Sequence, residues 1–271
     1  MKPYLKLLKC RDSSFHTFQK TLKYFGISKN YAVVAIRSAT STKLLEPSYS
    51  ERIRSSNLGN FSSTLIYLSS KYDHVIVFSD EQLVSNFGDN VIQYKYHPVR
   101  SHLMDYMIPA NAKMLVGNLY RVSDTRVLRK NGEYIAIDAP LLTLHWSINV
   151  DFALPKMITS RSTDLPINIS QIYNPRYFNR HGYTDACEDS FDFINNGEEE
   201  IYAFVKEVLE EGKFVKPIEF DEAAQRISIE NSYLNTLGKT ASVLYKTPPS
   251  SGLDTPIEAK ISSKFHLCYR Q

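Results

Sequence analysis

The chain has 271 residues, of which 43% are hydrophobic and 12% aromatic, enough for a sizeable core in one large or two smaller domains. Lys and Arg number 32 against 29 Asp and Glu, and the resulting net charge of +3 is too balanced to indicate a polyanion such as nucleic acid as the partner. No apolar run approaches the roughly 18 to 20 residues that span a bilayer. The N-terminus Met1-Lys-Pro-Tyr-Leu-Lys-Leu-Leu-Lys lacks the apolar core of a signal peptide, and Cys10, Cys187 and Cys268 have neither CxxC nor Cys/His spacing. Free thiols and a cytoplasmic location are the expectations.

Residues 1–30 contain two helical patches, Tyr4-Leu5-Leu7-Leu8 and Phe15-Phe18-Leu22-Phe25, the second closed by Gly26. A basic amphipathic segment of this kind could lie on a membrane, but a helix covering the first strand is the commoner outcome. That strand is the apolar run Tyr31–Ile36, which stops at Arg37. A polar stretch with Arg52 and Arg54 follows, then a helical pattern at Phe61, Leu65, Tyr67 and Leu68, then a second apolar run, Val75–Phe78, stopping at Ser79-Asp80. Strand, helix, strand in this order reads as a parallel crossover between strands buried on both faces. Ligands of such sheets bind at the carboxyl ends of the strands, here marked by Arg37 and Asp80.

Val91–Tyr94 reads as a short strand, and Leu103-Met104-Tyr106-Met107 as a helix that Pro109 ends or kinks. Lys113–Gly117 is the third buried strand, stopping at Gly117-Asn118, and Tyr134–Ile137 the fourth, stopping at Asp138. Between these two, Ser123-Asp124-Thr125 offers a helix cap. From Asp151 to Asp189 the pattern fails, with prolines at 155, 166 and 175, and an irregular surface excursion is expected. Regularity returns in the acid-led amphipathic helix from Glu198 to Gly212, followed by a helical pattern at 220–245 and a tail. The expected fold is α/β: a Rossmann-like doubly wound parallel sheet at 31–212, a helical segment at 1–30, and a C-terminal helical region and tail at 213–271.

Two arginines stand out as chemistry. Arg37 ends a buried strand and Arg54 lies one loop later, so their guanidinium groups either converge on one anion or pair with surface carboxylates. Asp80 either accepts from sugar hydroxyls or caps a helix starting at Glu81. Asp105, within the apolar face of its helix, is either paired, ligand-facing or solvated. His97, His102 and His145 are scattered singly, and Trp146 invites either stacking or packing. No GxSxG, P-loop or GxGxxG occurs, which removes the usual support for hydrolase, kinase and dehydrogenase chemistry.

The order of these pieces resembles the nucleotide-sugar-binding half of bacterial surface-polysaccharide glycosyltransferases, distantly similar to fucosyltransferase GT-B enzymes. That family has a strand ending in a His-Val-Arg-Asp-like motif, an Arg-Asn helix start, and a strand ending in Gly-Asp. Ala35-Ile36-Arg37-Ser38, the segment Arg54–Phe61, and Phe78-Ser79-Asp80 stand in those places. Leu103-Met104-Asp105 and Ala112–Gly117 resemble the family's Leu-Asp helix and the strand leading to its Gly-Thr-Ser-Ser-Gly turn. Pro140–Trp146 and the acidic helix at 198–211 also fall where the family has similar pieces. The chain departs from the pattern at Ala35, Ser38 and Ser55, and Asn118-Leu-Tyr-Arg-Val122 replaces the turn whose backbone N–H groups would cradle a diphosphate.

The resemblance implies sugar transfer from a nucleoside-diphosphate donor to a glycan or lipid-linked acceptor at the cell surface. Arg37 and Arg54 would neutralise the leaving diphosphate, with Asp80, Asp105, Gly117, Asn118 and Arg121 binding the donor. No cofactor or metal is implied, because arginines do the neutralising. His102 and His145 are candidates for the base. The implied location is cytoplasmic, free or peripheral at the inner membrane, with a second chain supplying the acceptor domain. A non-catalytic domain serving another glycosyltransferase is the alternative from a different class.

Overall fold

A computed structural model describes residues 12–38, 49–118, 132–139, 152–165, 167, 176–179, 182–210 and 260–261. Its centre is a sheet of seven strands: β1 (Tyr31–Ile36), β2 (His74–Ser79), β3 (Val91–Gln93), β4 (Met114–Gly117), β5 (Glu133–Ala139), β6 (Phe152–Pro155) and a short strand at Lys260–Ile261. All neighbouring pairs are parallel, in the order β3-β2-β1-β4-β5-β6 followed by Lys260–Ile261. The order steps outward from β1 in both directions, the doubly wound arrangement of Rossmann-like α/β proteins.

The period-2 geometry of a strand sends alternate side chains to opposite faces. All six residues of β1 are buried, which explains its unbroken apolar run. Tyr31, Val33 and Ala35 join a core with Ile76, Leu115 and Tyr134 under helices α1 (Asp12–Tyr24) and α4 (His102–Asn111). Ala32, Val34 and Ile36 join a second core with Val75, Val77, Val116 and Ile135 under α3 (Ser62–Lys71) and α6 (Glu198–Glu210). Phe18 and Leu22 of α1 are buried in the first core, so the covering role expected of this segment holds. A short helix α2 (Tyr49–Arg54) lies on the β1-to-β2 crossover ahead of a 3-10 turn at Leu58–Phe61.

Three expectations need correction. Residues 81–84 form no helix, so Asp80 caps nothing there. Pro109 lies inside the last turn of α4 and does not end it, since the helix runs on to Asn111. The stretch taken as an irregular excursion contributes β6 to the main sheet, because Phe152 and Leu154 enter the second core. It also supplies β7 (Met157–Ser160), antiparallel to β10 (Phe191–Ile194), a small hairpin of β8 (Phe178–Asn179) and β9 (Gly182–Tyr183), and the helix α5 (Asp185–Ser190). Lys260–Ile261, within the tail, is a strand; the rest of 213–271, the helix expected at 118–131, His145 and Trp146 lie outside the described residues. Among the described residues no helix is long and apolar enough to cross a membrane.

Candidate functional site

A parallel sheet buried on both faces has room for polar groups mainly at its strand ends. At the carboxyl ends of β1, β4, β5 and β6 the side chains of Ser38, Asn118, Asp138 and Lys156 are nevertheless buried, together with Ser55 and Ser56 just after α2. Buried polar groups must find partners, and here they find one another.

Asn118 joins the two strands that flank the reversal of strand order. Its Oδ1 accepts from the Arg37 N–H at 2.8 Å, and its Nδ2 donates to the Arg37 carbonyl at 2.8 Å and the Arg54 carbonyl at 3.0 Å. The Ser56 N–H also donates to the Arg37 carbonyl, at 2.9 Å. The backbones of the two arginines are thus drawn to a single amide. Gly117 permits this: its φ is 153°, and a Cβ there would collide with the Ala35 carbonyl. Sterics therefore select glycine before Asn118.

The Arg37 guanidinium is 3.1 Å from the Glu51 carboxylate, with both side chains less than a fifth exposed. Pairing with a carboxylate is the outcome that surface statistics favour, and it places Glu51 where an anion would compete. Arg52 pairs with Glu188 of α5.

On β5, Asp138 is fully buried with φ 54°, a left-handed conformation uncommon outside glycine. Its carboxylate accepts from the Ser56 hydroxyl, from the Asn196 N–H at 2.7 Å and from the Asn196 side-chain amide at 2.6 Å. Burial raises its proton affinity, and these donors and the charge of Lys156 act in the opposite direction. Lys156, 1% exposed, donates from Nζ to the Ser55 carbonyl at 2.6 Å and to Asn195 Oδ1. Desolvation pulls its pKa from 10.5 down to about 8, against the attraction of Asp138. Asn60 and Ser63 hold the same loop, through the Asn196 carbonyl at 2.8 Å and the Glu198 carboxylate at 2.6–2.8 Å.

Other expected residues lie apart from this cluster. Asp80 is exposed, and its backbone carbonyl accepts from Lys95 at 2.9 Å. Asp105 accepts from the Tyr94 hydroxyl at 2.6 Å, and burial with this bond raises the pKa of that phenol. The same tyrosine stacks on Phe78 at 4.1 Å, so Asp105 serves the junction of β2 and α4. His102 is solvent-exposed beside Asp105. Arg121 lies outside the described residues. Among the described residues no group of His, Cys, Asp and Glu gathers at metal-binding distance.

Asp138 and Lys156 were not singled out in the sequence. Asp138 carried a usable signal, an acid closing an apolar strand on the ligand edge. Lys156 carried a weaker one, a lone cation between Phe152-Ala153-Leu154 and Met157-Ile158. Comparison with family models, curated proteins and solved structures gave no match.

Proposed function

We propose that the chain binds a nucleoside-diphosphate sugar at the carboxyl edge between β1 and β4 and transfers the sugar to a cell-surface glycan or lipid-linked acceptor, as one half of a GT-B fold would. The observation that carries this reading is the shared amide: Asn118 bonds the carbonyls of both Arg37 and Arg54 at the point where strand order reverses. The main chain of two residues that carry permanently charged, bidentate donors is thereby tied to the crevice where α/β sheets take phosphates. Arginines there would stabilise the charge that develops on a departing diphosphate. In this reading the transfer takes place in the cytoplasm, free or at the membrane surface, with the acceptor-binding domain supplied by a second chain.

The test is calorimetric titration with UDP, GDP, CMP and their sugar conjugates. Selective micromolar binding of one nucleotide, weakened about tenfold or more in Arg54→Ala, is expected. Full affinity in that variant would overturn the phosphate assignment.

A second reading has its own support. Asn118, the first residue of the segment that replaces the resembled family's glycine-rich cradle, spends its side chain on the backbone of Arg37 and Arg54, and Arg37 is engaged by Glu51. Both fit a domain that keeps the fold to serve a partner glycosyltransferase. Absence of binding by every nucleotide would favour it.

A further inference from the structure

The first and last turns of a helix leave backbone groups without helical partners, and α2 is too short to leave many inside. The chain at its C-terminal end is met from three strand ends. Asn118 after β4 takes the carbonyl of Arg54, Lys156 after β6 takes that of Ser55, and Asp138 on β5 takes the Ser56 hydroxyl. The segment bearing Arg54 is therefore fixed by an ammonium one residue away, and that ammonium is 1% exposed. Two of its three N–H groups donate to the Ser55 carbonyl and Asn195. Buried beside a carboxylate, it is a cation whose charge the protein maintains at a cost.

We propose that Lys156 is the positioning residue of the carboxyl-edge site, holding the Arg54 segment over the crevice and taking up a proton when the site takes an anion. The second half rests on the anion-binding reading above; the first half does not. Near its pKa of about 8 the amine is partly neutral, so an anion arriving at the crevice favours the charged form and raises its proton affinity. The charged and titratable groups on the elements meeting at Lys156 are Glu133, Tyr134 and Asp138 on β5, Tyr49, Glu51, Arg52 and Arg54 on α2, Arg37 after β1, and Glu198, Glu199 and Glu200 in the first turn of α6. Among the described residues Asp138 is the one that acts on its charge.

The experiment titrates UDP and GDP into the full chain from pH 7 to 9.5, in buffers of different ionisation enthalpy, so that protons taken up on binding are counted directly. Wild-type affinity should fall above pH 8 by up to about tenfold per pH unit, with uptake approaching one proton. In Lys156→Met the uptake should vanish and the profile flatten. Equal uptake in the variant overturns the proton linkage. The positioning half is read without ligand, from amide exchange at Ser55 and Ser56, whose N–H groups donate to the carbonyls of Arg52 and Arg37. Exchange in Lys156→Met at least about tenfold faster than in wild type, relative to amides of β1, supports it, and unchanged exchange overturns it. If no nucleotide binds, the functional reading falls while the exchange result still decides the positioning role. If Lys156→Met does not fold, the Lys156 side-chain carbon resonance in wild type is followed against pH with and without nucleotide: a midpoint raised by ligand supports the linkage, and an unmoved one in the presence of binding overturns it.

Discussion

Replacing Asn118 by Asp changes one atom of the crevice and inverts its chemistry. The amide assignment is fixed by its partners, since the Arg37 N–H needs an acceptor and two carbonyls need donors. An aspartate keeps the first bond and loses both donations. Each lost bond costs on the order of 1 kcal/mol, and a 1% exposed carboxylate facing two carbonyl oxygens adds the penalty of a buried, unpaired charge. Together these give about 3–5 kcal/mol, a large share of the stability of a typical domain. Protonation relieves part of it, because a neutral carboxyl donates one O–H. The new group thus has a folded-state pKa above its unfolded value, so the variant binds more protons when folded, and its stability is recovered in part as pH falls and lost as pH rises through the folded pKa. Urea unfolding of wild type and Asn118→Asp at pH 5 and pH 7.5 measures both effects. A variant within about 1 kcal/mol of wild type at pH 7.5 would show that the amide does not join β1, α2 and β4 as described.

Three further outcomes follow from the same geometry. Gly117→Ala should destabilise by roughly 2–4 kcal/mol in thermal or urea unfolding, since the added methyl meets the Ala35 backbone carbonyl and only a main-chain shift can clear it. Lys156, displaced from 10.5 to about 8, releases its proton in the folded state while the unfolded chain still holds it, so its contribution makes stability rise with pH across that window by roughly 3 kcal/mol. The difference in unfolding free energy between wild type and Lys156→Met, measured from pH 7 to pH 10, isolates this slope from the tyrosines and Cys187, whose raised pKa values act in the opposite direction; a pH-independent difference would contradict it. Thr64, fully buried in α3 with an unpartnered hydroxyl, should be replaced by Val with a gain of about 1 kcal/mol, and a loss would mean that the hydroxyl has a partner.

The sheet was legible because its inner strands are buried on both faces. Tyr31–Ile36 and Val75–Phe78 must be apolar throughout, and a continuous apolar run that ends abruptly marks the strand and its carboxyl end together. The β6 strand was not legible. Its four residues end in a proline, and only Phe152 and Leu154 are seen in the core, so too little period exists to distinguish it from loop. The helix offered at Glu81 fails for a local reason: Glu81-Gln82-Leu83-Val84 has helical composition, but the Glu81 carboxylate accepts from the Leu58 N–H at 3.0 Å and its carbonyl accepts from Gln93 at 2.6 Å. Tertiary bonds override propensity there. Of the site, Arg37 and Gly117-Asn118 were visible because strand ends are visible. The Asp138–Lys156 association was hidden because it joins residues from a legible and an illegible strand.

The electrostatics of this edge limit what it does at rest. Arg37, Arg52, Arg54 and Lys156 bring four positive charges to this edge, and Glu51, Asp138 and the Arg52 partner Glu188 bring three negative ones, leaving about one positive charge. One phosphate monoester already carries about −1.5 to −2, so a diphosphate exceeds what the resting edge neutralises. The deficit falls mainly on Glu51. Asp138 is committed by three donors in the interior, whereas the Glu51 side chain, 17% exposed, reaches solvent beside its contact with Arg37. An arriving phosphate offers Arg37 two parallel N–H···O bonds and more charge in place of the one Nη2–Oε1 contact with Glu51, and Glu51 gains hydration on release. Exchange of Glu51 for ligand is therefore the least costly way for this edge to accept an anion, and it frees the first turn of α2 while β4, β5 and β6 keep hold of the chain at its end.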